Sequence, residues 1–284
     1  MIKLHTLTGL VVCSAILLAS CGQSAPDHEK TAPQDTVRHS YPLVTLVPVG
    51  NSPEFPDAKL SIQSVTAQKV GADSAHVTFN FAVKNYELKH QTSDSATKLC
   101  NNSAKGQHIH FILDENPYTA LYEPTNGITL QNNTEHYLMA FLSRSYHESI
   151  KSKGAAVVYH FKIDEKGNLK KLADPKTPMV FYSRPKGDYI GKDTANVLLD
   201  FYVWNAGLSN DGYKVKAHIM NEGIKTQDTT VTITDWKPYF IQNLGQGKSQ
   251  VTLSLVDKDG KTVEGPSTTA TREFNLTAQE PMKP

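Results

Sequence analysis

SAHVTFNFAVK, residues 74–84, decides the fold class. Val77, Phe79, Phe81 and Val83 alternate with Thr78, Asn80 and Ala82, a period of two. Successive side chains of a strand point to opposite faces, so this stretch reads as a strand with one buried face. Working outward, HIHFIL (108–113) precedes the turn cluster Asp114-Glu115-Asn116-Pro117, and HYLMAFL (136–142) and AAVVYHFKI (155–163) read as two more strands. A second series covers residues 179–183, 196–204, 213–219, 229–234, 250–256 and 271–276. No long stretch carries a helical period, and residues 143–153 read as one helical turn or an excursion between strands. Short strands separated by Gly, Pro, Asn and Asp predict an all-β chain of antiparallel sandwiches.

The two series resemble copies of one unit. Val83-Lys-Asn85-Tyr-Glu-Leu88 corresponds to Val203-Trp-Asn205-Ala-Gly-Leu208, and the strand led by Gly106 to the strand led by Gly212. Asn116-Pro117-Tyr118 is matched with Lys237-Pro238-Tyr239, and EHYLMAFL (135–142) with KSQVTLSL (248–255). The fold class expected is therefore two tandem antiparallel immunoglobulin-like β-sandwich domains. The first spans 42–165 and the second 179–284, with a polar linker at 166–178. A length of 284 residues leaves room for one modest core in each.

The amino terminus carries a separate signal. Lys3 precedes LVVCSAILL (10–18), an apolar run too short to span a bilayer but suited to a signal peptide. Leu18-Ala19-Ser20-Cys21 resembles the bacterial lipobox, which implies a signal peptide over 1–20 and acylation of Cys21. Residues 21–41 are polar and contain proline, a tether too hydrophilic to build a core. Gly22 after the cysteine, by resemblance to lipoprotein sorting, implies the outer membrane of the cell envelope, on its periplasmic or its outer face. The expected partner of this end is thus the membrane, through the lipid.

Composition narrows the function classes. With 29 basic and 28 acidic residues there is no basic stripe, and no nucleic-acid partner is expected. Of the three cysteines, Cys13 would leave with the signal peptide and Cys21 would be acylated. Cys100 is then alone, without a disulfide partner, and is either inert or a ligand. No P-loop, GxGxxG, HExxH or GxSxG occurs, and no enzyme is expected.

Histidines carry the chemistry. His108 and His110, two apart on a strand, present both rings on one face. The corresponding positions of the second copy are Lys214 and Lys216, and His136 corresponds to Ser249, so the scaffold can be built without these imidazoles. Two rings can converge on one ion, and His136 and His147 are the candidates to complete the set, with Cys100 a further one. Neutral imidazoles suit copper or zinc, with nickel a third option, and affinity of this site is expected to fall as pH drops through about 6.5. The other reading of that face is the solvent side of an ordinary strand with nothing bound.

The second constellation is SRSYHES, residues 143–149. Arg144 with Ser143 and Ser145, and Tyr118 nearby, would make a clamp for a peptide or phosphopeptide; a capped surface turn is the alternative. Tyr182-Ser183-Arg184-Pro185 echoes Leu142-Ser143-Arg144-Ser145 without an assigned role. The segments GxHxHxxLDxxPY (106–118) and SRSxHES (143–149) resemble those of an uncharacterised family of Gram-negative lipoproteins with tandem immunoglobulin-like domains. The His-x-His strand is also similar to those of periplasmic cupredoxin-like proteins, but no Cys, His and Met cluster follows it, which speaks against an electron-transfer centre. The expectation is a lipid-anchored binding protein that carries or senses copper or zinc through a histidine site in its first domain. The alternative is a peptide-binding or envelope-interaction module without metal.

Overall fold

The computed structural model describes residues 43–223 and 227–278, all within one compact unit. The expected signal peptide, Cys21 and tether lie outside the described residues. Among the described residues no helix is long and apolar enough to cross a membrane.

The chain is all-β, and its strands build two sandwiches. In the first, β2 (Lys59–Val70), β3 (Ser74–Lys84) and β6 (Thr125–Gln131) form a sheet in the order β2-β3-β6. Facing it is the sheet β5-β4-β7-β8-β9, made of β4 (His108–Leu113), β5 (Thr119–Leu121), β7 (Thr134–Ser143), β8 (Ala156–Ile163) and β9 (Leu169–Lys171). Phe79, Phe81, Ile109, Phe111, Leu138 and Phe161 pack between the two sheets. The alternation that predicted β3 is the alternation that fills this core.

The second sandwich repeats the plan. One sheet runs β1-β15-β12-β10, from β1 (Thr45–Pro48), β10 (Met179–Arg184), β12 (Val197–Trp204) and β15 (Tyr239–Gln242). The other runs β11-β17-β16-β13-β14, from β11 (Gly187–Ile190), β13 (Lys214–Asn221), β14 (Gln227–Ile233), β16 (Gly247–Val256) and β17 (Thr269–Thr277). The sheets of both sandwiches thus share an order, with β2, β3, β6 answering to β10, β12, β15, and β5, β4, β7, β8 to β14, β13, β16, β17.

Registers agree as well. Ile109 pairs with Leu142 and Val215 with Leu255, which keeps His108 and His110 in step with Lys214 and Lys216. Asn85 and Asn205 each follow the end of their strand at a φ of 54°. Their side-chain amides donate to Asp57 O and Pro175 O respectively.

Three expectations of detail are corrected. Residues 45–48 fall within the range expected for the first sandwich, but β1 pairs with β15 and so edges the second. Part of the expected linker is β9, paired with β8. The Pro-Tyr match also fails, because Tyr118 precedes β5 while Tyr239 opens β15, and β5 answers to β14.

A third apolar cluster joins the sandwiches. On β4, Ile109, Phe111 and Leu113 face the first core, leaving His108, His110 and Ile112 on the other side. Ile112, Met139 and Phe141 pack against Met179, Phe181 and Tyr202 of the second sandwich. Phe141 and Tyr202 stack with centroids 5.0 Å apart. The histidine face of β4 is therefore the inner face of a sheet-on-sheet contact.

Candidate metal centre

The position of β4 depends on the glycine two residues before it. Gly106 has a φ of 81°, and a Cβ there would lie 2.6 Å from the His90 carbonyl oxygen, so only glycine admits this approach. Its carbonyl oxygen accepts a hydrogen bond from His108 Nδ1 at 2.8 Å. A carbonyl can only accept, so the neutral His108 ring carries its proton on Nδ1 and presents a bare lone pair at Nε2.

That lone pair faces two other rings. His108 Nε2 lies 2.9 Å from His110 Nε2 and 3.1 Å from His147 Nδ1. One lone pair cannot serve two imidazole donors well, whereas one cation among the three nitrogens satisfies all of them. With metal–nitrogen bonds of about 2.0–2.1 Å, ligands at right angles sit about 2.9 Å apart and tetrahedral ones about 3.3 Å. The observed spacings match those of a first coordination sphere. Ligand atoms of the three histidines all lie within 4.8 Å of one another, and all three residues are buried.

His147 arrives from the turn between β7 and β8. This turn repeats in the second sandwich: Arg144 N donates to Glu148 O, and Asp257 N to Lys261 O, both at 2.9 Å. Bridges close both turns, Ser143 with Ser149 and Val256 with Thr262. His147 therefore occupies the position of Gly260, with a φ of 70° against 79°. Glycine adopts that conformation freely and a histidine does not. The second copy uses the cheaper residue, and the first places an imidazole there against local preference.

The second sandwich, with Tyr118 of the first, supplies the rest of the surroundings. Ser183 Oγ lies 2.9 Å from His110 Nδ1, so a proton on Nδ1 donated to the hydroxyl leaves Nε2 free to ligate. Tyr118 stacks on His110 at 3.6 Å and 7°, and its hydroxyl lies 3.2 Å from His147 Nδ1. Asp200 on β12 accepts from Ser149 Oγ and Lys151 Nζ, each at 2.8 Å, which fixes the turn that carries His147. Arg184 lies 5.5 Å and Lys186 4.1 Å from the centre of the Tyr118 ring.

Burial sets the protonation. It lowers His108 from 6.5 to about 4, with the Arg184 charge adding to it and the Gly106 hydrogen bond opposing it. Burial also holds His110 and His147 well below 6.5, reinforced by neighbouring rings and by Arg184 and Lys186. All three rings are neutral at pH 7, the form that binds metal. Lys186 is itself pushed down to about 8 by burial and by Arg184.

Of the expected site residues, His108, His110, His147 and Tyr118 converge, and the alternative reading of the histidine face as the solvent side of its strand is excluded, since both rings are buried. His136 does not join them. It shares the face of Leu138, Ala140 and Leu142, whereas the site lies on the side of Phe141 and Ser143. Both its ring nitrogens are engaged, by Asp114 at 2.8 Å and Thr134 at 2.7 Å. Cys100 stands apart too, its buried thiol pushed up to about 12 mainly by desolvation.

The clamp is likewise not formed. Arg144 donates to Glu148 Oε1 at 2.8 Å and to Pro53 O at 2.6 Å, Ser143 Oγ donates to Arg144 O, and Ser145 Oγ accepts from Thr92 N. Ser143, Arg144 and Ser145 are buried and committed internally. Ser183, Arg184 and Lys186 were not assigned from sequence; the echo of Ser143-Arg144 in Ser183-Arg184 was their one trace.

No protein-family model matches the chain, and no curated protein matches it. Among solved structures, it is similar to fibronectin(III)-like modules of Clostridium thermocellum CbhA, at 12% identity and a TM-score of 0.26, over 79% of this chain and 98% of that one. It is also similar to the two tandem V-type regions of VCBP3, a v-region-containing chitin binding protein. That match has 7% identity and a TM-score of 0.25, over 78% of this chain and 99% of the other.

Proposed function

We propose that this chain binds one transition-metal ion, copper or zinc, through His108 Nε2, His110 Nε2 and His147 Nδ1, and that it carries or senses the ion rather than transforming a substrate. The observation that carries the reading is the convergence of three buried, neutral ring nitrogens on a point where one bare lone pair meets two other rings. The lipobox resemblance of residues 18–21 supports an exported, lipid-anchored setting in the envelope, and the segments 106–118 and 143–149 support kinship with tandem-domain lipoproteins. The peptide-clamp reading has lost Arg144 and both serines to internal partners.

Calorimetric titration of the full chain in detergent with Cu(II) and Zn(II) tests this. The expected result is one site of about micromolar affinity or tighter. It should vanish in a His108→Ala/His110→Ala double variant that keeps its β circular dichroism. No heat from the wild type, or equal heat from the variant, would overturn the reading.

A further inference from the structure

Among the described residues, the buried acids near the three rings, Glu148 and Asp200, are taken by Arg144 and Lys151, and two further cations, Arg184 and Lys186, have no carboxylate of their own. Arg184 is 7% exposed, yet its partners are all uncharged: Lys186 O and Tyr189 OH, both at 3.3 Å, Asn101 Oδ1 at 3.5 Å, and the Tyr118 hydroxyl. Its Nε is buried without a partner. Lys186 Nζ donates to Tyr118 O at 2.7 Å. Among the described residues, neither cation has a carboxylate within salt-bridge distance, although the buried Arg144 has Glu148 and Lys151 has Asp200. Among the described residues, the hydrogen-bonded link from Arg184 to an acid is indirect, through Asn101 to Asp193.

An unpaired buried guanidinium is costly, and a metal ion beside it makes the deficit of negative charge larger. Three imidazoles contribute no charge to a divalent ion, and they leave at least one coordination position open. A small anion bound to the metal would answer both demands. It would complete the coordination sphere and neutralise the Arg184 and Lys186 charges from one position.

We propose that the metal-loaded site takes a small, metal-coordinating anion as its remaining ligand, held in place by Arg184 and Lys186; this rests on the metal reading above. The anion is an exogenous one, of the class of azide, formate or other small monoanions. The cations therefore make anion binding dependent on metal, and metal binding tighter when the anion is present. Lys186 lies over the Tyr118 ring at 4.1 Å, and its charge bears on His110 and His147 as well as on the anion.

The test loads the full chain with Cu(II) and titrates azide, following the azide-to-copper charge-transfer absorption, in wild type, Lys186→Gln and Arg184→Lys. Lys186→Gln is the variant with the smaller demand on folding, and copper affinity is measured for each. The expected result is saturable azide binding in the wild type that weakens about tenfold or more in Lys186→Gln, with copper affinity without azide unchanged or increased. Copper binding with no azide binding, or with equal azide affinity in wild type and Lys186→Gln, would overturn the anion proposal alone. Failure of the wild type to bind copper would overturn the metal reading beneath it.

Discussion

His110 on β4 and Ser183 on β10 meet at 2.9 Å, a hydrogen bond that ties the two sandwiches together at the rings of the candidate metal centre. The three histidines belong to the first sandwich, as the sequence led one to expect, but the orientation of His110 depends on the second. A partner that fixes the tautomer of a ligating histidine typically changes metal affinity by about 10–100-fold when removed. Ser183→Ala is expected to weaken zinc or copper binding within that range while leaving the β signal intact. Unchanged affinity would show that Ser183 only packs.

His147 offers a test of strain against function. Its φ of 70° means that alanine at this position keeps the backbone penalty while glycine removes it. His147→Gly is expected to be more stable than His147→Ala by about 1 kcal/mol, the reverse of the order in ordinary strands and helices. Both variants should lose high-affinity metal binding. Chemical denaturation measures the first difference and calorimetry the second; equal stabilities would argue against the strained turn.

Protonation gives a third prediction, for the metal-free protein. His108 titrates near 4 when folded and at its ordinary 6.5 when unfolded. Between those values the unfolded chain holds more protons, so stability is full above about pH 6.5 and falls as pH drops toward 4. The slope approaches about 1.4 kcal/mol per pH unit for His108 alone, and His110 and His147 act in the same direction. Urea midpoints at pH 7 and 5, with chelator present, should differ more in wild type than in His108→Gln. The same burial moves the pH at which protons displace metal. An exposed site would empty through about 6.5, whereas here binding is expected to persist at pH 5.5, and complete loss at that pH would contradict it.

Arg144 and Glu148 form a buried pair at 2.8 Å, so removing one charge strands the other. Arg144→Met is expected to cost about 3–5 kcal/mol of stability. Metal affinity of the fraction that remains folded should change little. A variant of near-wild-type stability that had lost an anionic ligand instead would restore the clamp reading.

Much of this was legible in the residues. A period-two pattern located β3, short apolar stretches bounded by turn residues located β4, β7 and β8, and the internal repeat matched His108 and His110 with Lys214 and Lys216, in the register the sheets adopt. Parity along β7 also held the answer for His136: it is even-numbered with Leu138, Ala140 and Leu142, on the core side, so no slip short of a bulge could bring it to the site. β2 was hidden for a related reason. A register shift between Ile62 and Ser64 moves its inward positions from Leu60 and Ile62 to Val65 and Ala67, which breaks the alternation. What no pattern revealed is which sheet faces meet. The packing of the β4 histidine face on β10 and β12 depends on the stacking of two sandwiches, and strand spacing says nothing of that.

The metal reading puts one ion among His108, His110 and His147. Anomalous diffraction at the zinc absorption edge, from crystals of the protein grown with one equivalent of zinc, tests it most directly. A single strong peak is expected about 2.0–2.1 Å from His108 Nε2, His110 Nε2 and His147 Nδ1. No peak at that point, or zinc held only by surface groups such as His136 and Asp114, would contradict it.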